Sequence, residues 1–161
     1  MPAPLRDDVR SRADGRCEYC LVHEDDLFEP HEADHIIAEQ HGGPTTADNL
    51  AFACWDCNRR KGPNISSVDP ENGEVVRLFH PRLHQWSEHF RLDGFRIIPL
   101  TASARATVAL LRLNSAERLS VRGMLHQVGV SAWRAKRRRT TSSFSGFSEA
   151  TRNLWRVGAT A

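Results

Sequence analysis

No apolar run in the 161-residue chain approaches the ~18 residues that a membrane-crossing helix needs. No segment repeats at a period of roughly 20–50 residues, which excludes a solenoid. The start, Met1-Pro2-Ala3-Pro4-Leu5-Arg6-Asp7-Asp8, has neither a basic n-region nor an apolar h-region. A secretory signal is therefore not expected, and a reducing cytoplasm is the expected location. Excess charge is also missing: 22 Lys+Arg against 20 Asp+Glu give a net +2. The most informative absence is local. From Cys17 to Asn58 there is no Lys or Arg, while ten acidic residues occur. Such a stretch suits a hard cation held by oxygens, although Glu24 to Glu29 reads more simply as a solvated acidic loop. Wholesale disorder does not fit a chain with 12 aromatic residues.

What is present begins with four cysteines, Cys17, Cys20, Cys54 and Cys57, in two C-x-x-C pairs. Without a secretory signal a disulfide framework is disfavoured. Two such knuckles can instead present four thiolates tetrahedrally, at roughly 2.3 Å from one Zn²⁺. The spacer between the pairs is longer than in the commonest zinc patterns, so a real substructure must lie between them. A redox pair would be the rival reading of a single C-x-x-C. Two pairs and no thioredoxin-like βαβ pattern argue against it.

The spacing predicts a short helix over Leu5–Ala13, with Pro4 at its start and Gly15 as C-cap. His31–Ala38 reads as a short strand, the Gly- and Thr-rich Gln40–Asp48 as loop, and Leu50–Ala53 as a second strand. Asn58–Lys61 reads as a helical turn stopped by Gly62-Pro63. A second block follows, with strands over Glu74–Phe79, Trp86–Leu92 and Phe95–Leu100, the last two joined by an Asp93-Gly94 turn. Ser103–Leu113 and Ser115–Val128 read as amphipathic helices, the first with Ala106, Val108, Ala109, Leu110, Leu111 and Leu113 on its apolar side. Beyond Gly129 a basic arm, 131–161, is expected, with a short helix over Ser148–Val157. Residues 1–130 carry 15 basic and 19 acidic side chains, a balance of −4, whereas 131–161 carry 7 and 1, a balance of +6. The expected organisation is thus 1–66, 67–130 and 131–161.

Asp34-His35 on the first strand, Asn49 before the second, and Asn58 beside the last cysteine complete the pattern. Cys17-x-x-Cys20, Glu32-Ala-Asp34-His35-Ile36, Asp48-Asn49-Leu50 and Cys54-x-x-Cys57-Asn58-Arg59-Arg60-Lys61-Gly62 occur in order, and together they resemble the HNH endonuclease family. The resemblance covers Val9–Pro63. Further on, LFHPR from Leu78 and WSEHF from Trp86 resemble an extension of some members. One position departs from the family's name, which refers to a final histidine: this chain has Asn58 there.

The resemblance implies an α+β fold: a ββα-metal (His-Me finger) core with a four-cysteine zinc site, followed by a β-hairpin and helices. It implies a metal-dependent endonuclease acting on DNA, with His35 as general base and Asp34 and Asn58 as ligands of the catalytic ion. Asn49 would hold the loop and orient His35 by a hydrogen bond. An Asp/Asn oxygen pair favours Mg²⁺ or Mn²⁺, and a single carboxylate with a single carboxamide implies one ion. Imidazole accepts a proton near neutral pH, as water activation requires. Adjacent strand residues point to opposite faces, so either the strand ends or bulges at Asp34-His35, or the ion sits at its edge. Arg59, Arg60 and Lys61 would contact backbone phosphates or form a solvated face. Lys136, Arg137, Arg138 and Arg139 would grip DNA or serve solubility. His31, His80, His84 and His89 form no second ligand set. Trp55 and Trp86 are read as packing residues, with Trp55 covering the metal cluster. The rival from another class is a non-catalytic zinc module that binds nucleic acid or protein.

Overall fold

A computed structural model describes residues 1–127. The basic arm 131–161, with Lys136 to Arg139 and the helix expected over Ser148–Val157, lies outside the described residues.

Helix α1, Ala3–Arg12, opens the chain with Pro4 in its first turn, where a missing N–H costs nothing. Its buried Val9, with Ala13, packs against Leu50 and Phe52. Arg12 then reaches across to donate to the carbonyls of Ala47 and Leu50, at 2.9 and 2.8 Å. The first knuckle follows, turning through Leu21 at φ +64. Strand β1, Glu32–His35, pairs antiparallel with β2, Leu50–Ala53, in the register Glu32↔Ala53, Ala33↔Phe52, Asp34↔Ala51 and His35↔Leu50. All four β2 residues are buried, because both faces of this ribbon are covered. The pleat places Ala33, His35, Leu50 and Phe52 on the α1 side, and Glu32, Asp34, Ala51 and Ala53 on the other. Helix α2, Trp55–Lys61, begins at Cys54 and closes the ββα unit.

The second block contains three short elements the periodicity did not separate. Strand β3, Ser66–Val68, pairs with β4, Val75–Arg77, the centre of the strand expected over Glu74–Phe79. The strand expected from Trp86 is first a helical turn, α3 (Trp86–His89), and only then a strand, β5 (Phe90–Asp93). The Trp86 indole donates to Tyr19 O at 3.0 Å, a tertiary bond that no local pattern announces. β5 pairs with β6, Arg96–Pro99, through a turn carrying Gly94 at φ +55. Helix α4, Ala102–Leu110, is capped by Thr101, whose hydroxyl accepts from Ala104 N. It buries Ala104, Ala106 and Thr107, while Ala109, expected on the apolar side, is exposed. Helix α5, Ala116–Gln127, ends the described chain.

One hydrophobic cluster joins the two blocks. The four cysteines, Tyr19, Ile36, Ala51 and Ala53 pack with Phe79, Phe90, Ile97, Ala104, Leu111 and Leu113. Residues on both sides of position 66 contribute to it.

Candidate metal centre and active site

The Cys17 knuckle is held against β2 by Glu18, whose N–H donates to Phe52 O while its carboxylate accepts from Phe52 N. The Cys54 knuckle is the first turn of α2. Together they bring the four sulfurs within 4.8 Å of one another, all buried. The Cys20 and Cys54 sulfurs are 3.7 Å apart, close to the roughly 3.8 Å edge of a tetrahedron with 2.3 Å zinc–sulfur bonds. Burial pushes the Cys17 and Cys57 thiols up, whereas hydrogen bonds from neighbouring sulfurs pull Cys20 down. A metal-free cluster therefore holds protons that a metal must displace. A four-thiolate zinc site fits, and its closed ligand set leaves it architectural.

Trp55 does not cover this cluster. It is 43% exposed and stacks under the Arg59 guanidinium, 4.6 Å from the ring centroid. The cover comes from α5. Arg118, which nothing in the local sequence marked, is buried with Nη2 at 3.1 Å from the Cys57 sulfur and 3.7 Å from that of Cys54. Burial acts to lower its pKa, but the thiolates of Cys57, Cys20 and Cys54 outweigh that and raise it.

On the ribbon face toward α2, Glu32 and Asp34 meet Asn58 and Lys61. Asn58 Nδ2 donates to Glu32 Oε2 at 2.6 Å. Asp34 has a side chain only 10% exposed, with Oδ2 3.1 Å from Lys61 Nζ but without a hydrogen bond. Burial raises the Asp34 carboxyl against the opposing pull of Lys61. Lys61 is the surprise. Expected on a phosphate-facing step, it is 2% exposed, and its ammonium donates inward to His35 O (2.6 Å) and Gly62 O (3.1 Å). Arg59 is exposed, and Arg60 lies 4.0 Å from Asp56. Two hard oxygen donors, a buried carboxylate and a carboxamide whose nitrogen is turned to Glu32, fit a hard divalent cation rather than a soft one.

His35 lies on the opposite side of the pleat, and β1 ends with it. The chain bends at Ile36 and Ile37, directly after it. His35 Nε2 is 2.9 Å from Thr45 Oγ1, and that hydroxyl donates to Glu39 Oε1 at 3.2 Å. Since the hydroxyl's one proton goes to Glu39, Nε2 carries the proton toward Thr45 and Nδ1 keeps its lone pair. Thr45 and Glu39 were not anticipated, because loop threonines and glutamates are common and only the folded loop brings them to the ring.

Asn49 is buried and makes no bond to the His35 ring. Its Oδ1 accepts from Ile37 N at 3.0 Å, and its Nδ2 donates to Ile37 O (2.8 Å) and Pro44 O (2.9 Å). It latches the loop but orients His35 only through that loop. Gly43 is required at the latch, since a Cβ there would meet Ile37 O at 1.8 Å.

His80 is buried and its Nδ1 accepts from Arg82 N, while His84 stacks on His89 with centroids 4.4 Å apart. Among the described residues the four cysteines are the one group of three or more His, Cys, Asp or Glu side chains placed to hold a metal.

Fold and site together define an α+β domain whose ββα unit is closed by a four-cysteine metal centre. Residues 17–64, the segment bounded by the knuckles, match the family model described as HNH endonuclease. Searches of curated proteins and of solved structures find no match. No helix among the described residues is long and apolar enough to cross a membrane.

Proposed function

We propose that the protein is an endonuclease that hydrolyses phosphodiester bonds in DNA. The observation that carries this reading is the hydrogen-bonded chain from His35 through Thr45 to Glu39, which leaves Nδ1 as a free base at the tip of β1. Nδ1 takes the proton of an attacking water, and the carboxylate of Glu39 stabilises the imidazolium through Thr45. Asn49 keeps the loop that supplies both partners closed over the ring. Asp34 Oδ1 and Asn58 Oδ1 would hold Mg²⁺ or Mn²⁺, and Glu32 fixes the Asn58 amide so that oxygen rather than nitrogen is free. When bound, that ion would act as a Lewis acid toward the phosphate and the leaving oxygen. Lys61 anchors the Asp34 carboxylate and the His35 carbonyl from behind. Arg59 and Arg60 remain the cations of α2 for backbone phosphates, a contact that positions DNA without reading its sequence. Lys136 to Arg139 are proposed to add a salt-sensitive grip. A cytoplasmic setting accords with four cysteines gathered around one centre rather than paired in disulfides.

The test is nicking of supercoiled plasmid with Mg²⁺ or Mn²⁺ by zinc-loaded protein. His35→Ala should cost roughly 10²- to 10⁴-fold in rate at unchanged zinc content. Equal nicking by wild type and His35→Ala would reject the catalytic reading and leave a non-catalytic zinc module that binds nucleic acid or protein.

A further inference from the structure

Arg118 sits on α5, far outside the matched residues 17–64, yet it is 8% exposed and touches the metal ligands. A zinc ion with four thiolates carries a net charge of about −2, and here all four sulfurs are sealed from water. A buried dianion without a counter-charge is costly, and a guanidinium offsets it while donating directional N–H bonds. Arg118 is oriented for that task by a second bond. Nη1 donates to Leu111 O at 3.3 Å, at the end of α4, which turns the Nη2 edge onto Cys57 and Cys54.

We propose that Arg118 completes the metal centre: it donates to the zinc-bound sulfurs of Cys57 and Cys54, retains the metal, and makes the docking of α5 depend on the loaded site. The α5 helix has a second buried arginine that serves as the comparison. Arg122 donates instead to Phe95 O (2.8 Å), Leu113 O (2.6 Å) and Asn114 Oδ1 (3.1 Å). Both residues anchor the helix, and of these bonds those of Arg118 reach sulfur. The inference is independent of the nuclease reading, because it concerns zinc retention whether or not DNA is cut.

The experiment follows zinc transfer from the loaded full chain to the chromogenic chelator 4-(2-pyridylazo)resorcinol. Arg118→Met keeps the apolar stem and removes the charge; it should release zinc roughly 10- to 100-fold faster, as loss of a partner to a metal ligand does. Arg118→Lys should fall between it and wild type. Arg122→Met loosens the same helix without touching sulfur and should release zinc within about threefold of wild type. Wild-type release from Arg118→Met, or equal acceleration by Arg118→Met and Arg122→Met, would overturn the proposal. If Arg118→Met fails to fold, the cadmium-loaded wild type decides: proton–cadmium scalar coupling to the Arg118 guanidinium supports the bond, and its absence from a resolved guanidinium signal refutes it.

Discussion

The Asn49 carboxamide behaves as a borrowed peptide group. It exchanges two hydrogen bonds with Ile37, extending the β1–β2 pairing beyond the last true strand pair, and adds a third to Pro44. A loop of this kind closes because one buried side chain satisfies three backbone groups. His80 shows a single residue coupling stability to pH. Burial, with His84 and Arg82 nearby, lowers its pKa to about 3, below the ~6.5 of the unfolded chain. The unfolded state therefore binds more protons in between. The stabilisation is fully present above pH ~6.5 and is lost as pH falls toward 3. Between pH 7.5 and 5.5, urea midpoints of the zinc-loaded protein should show His80 alone costing about 1.4 kcal/mol. His80→Asn should lack that share of the loss, and an identical pH dependence in both proteins would contradict it.

At the scale of elements, the loop between β1 and β2 and the helix α2 divide the chemistry. The loop brings Thr45 and Glu39 to one side of the ribbon; α2 brings Asn58 and Lys61 to the other. Thr45→Val keeps the side chain's shape and removes the hydroxyl that sets the His35 tautomer. It should lower nicking by roughly 10-fold or more with little change in Mn²⁺ affinity. An unchanged nicking rate would detach Thr45 from the base. The knuckles and β2 were legible at this scale, since cysteine spacing and a short apolar run are local signals, whereas α1, expected from Leu5, begins at Ala3. The β3 strand and the α3 turn were not. Ser66–Val68 is too short and too polar to alternate, and Trp86–His89 coils to deliver an indole to Tyr19.

For the whole molecule, the metal centre is the keystone of a single cluster that runs from the knuckles to α4. The ββα unit alone has two four-residue strands and a seven-residue helix, too little to bury a core by itself. Removing zinc with a chelator at neutral pH should therefore abolish the cooperative thermal transition seen by circular dichroism, in β5, β6 and α4 as well as in the knuckles. A retained transition in the extension would show that 67–127 folds without the metal. The near-neutral total charge acquires a layout as well. Lys61, expected from the sequence on a phosphate-facing step, is buried against Asp34, and Arg118 is buried against the sulfurs.

The sequence by itself determined the paired C-x-x-C knuckles and the ββα order, and it nominated Asp34, His35, Asn49 and Asn58 as site residues. These are short-range patterns in which residue type and spacing carry the chemistry. Only the tertiary structure decided which partners those residues have: Thr45 and Glu39 behind His35, Glu32 on Asn58, Lys61 under Asp34, and Arg118 on the cysteines. These contacts join residues from 6 to 61 positions apart in the chain. Lys61 and Arg118 are ordinary surface types until burial removes water and leaves a carboxylate, a carbonyl or a thiolate as the partner that remains.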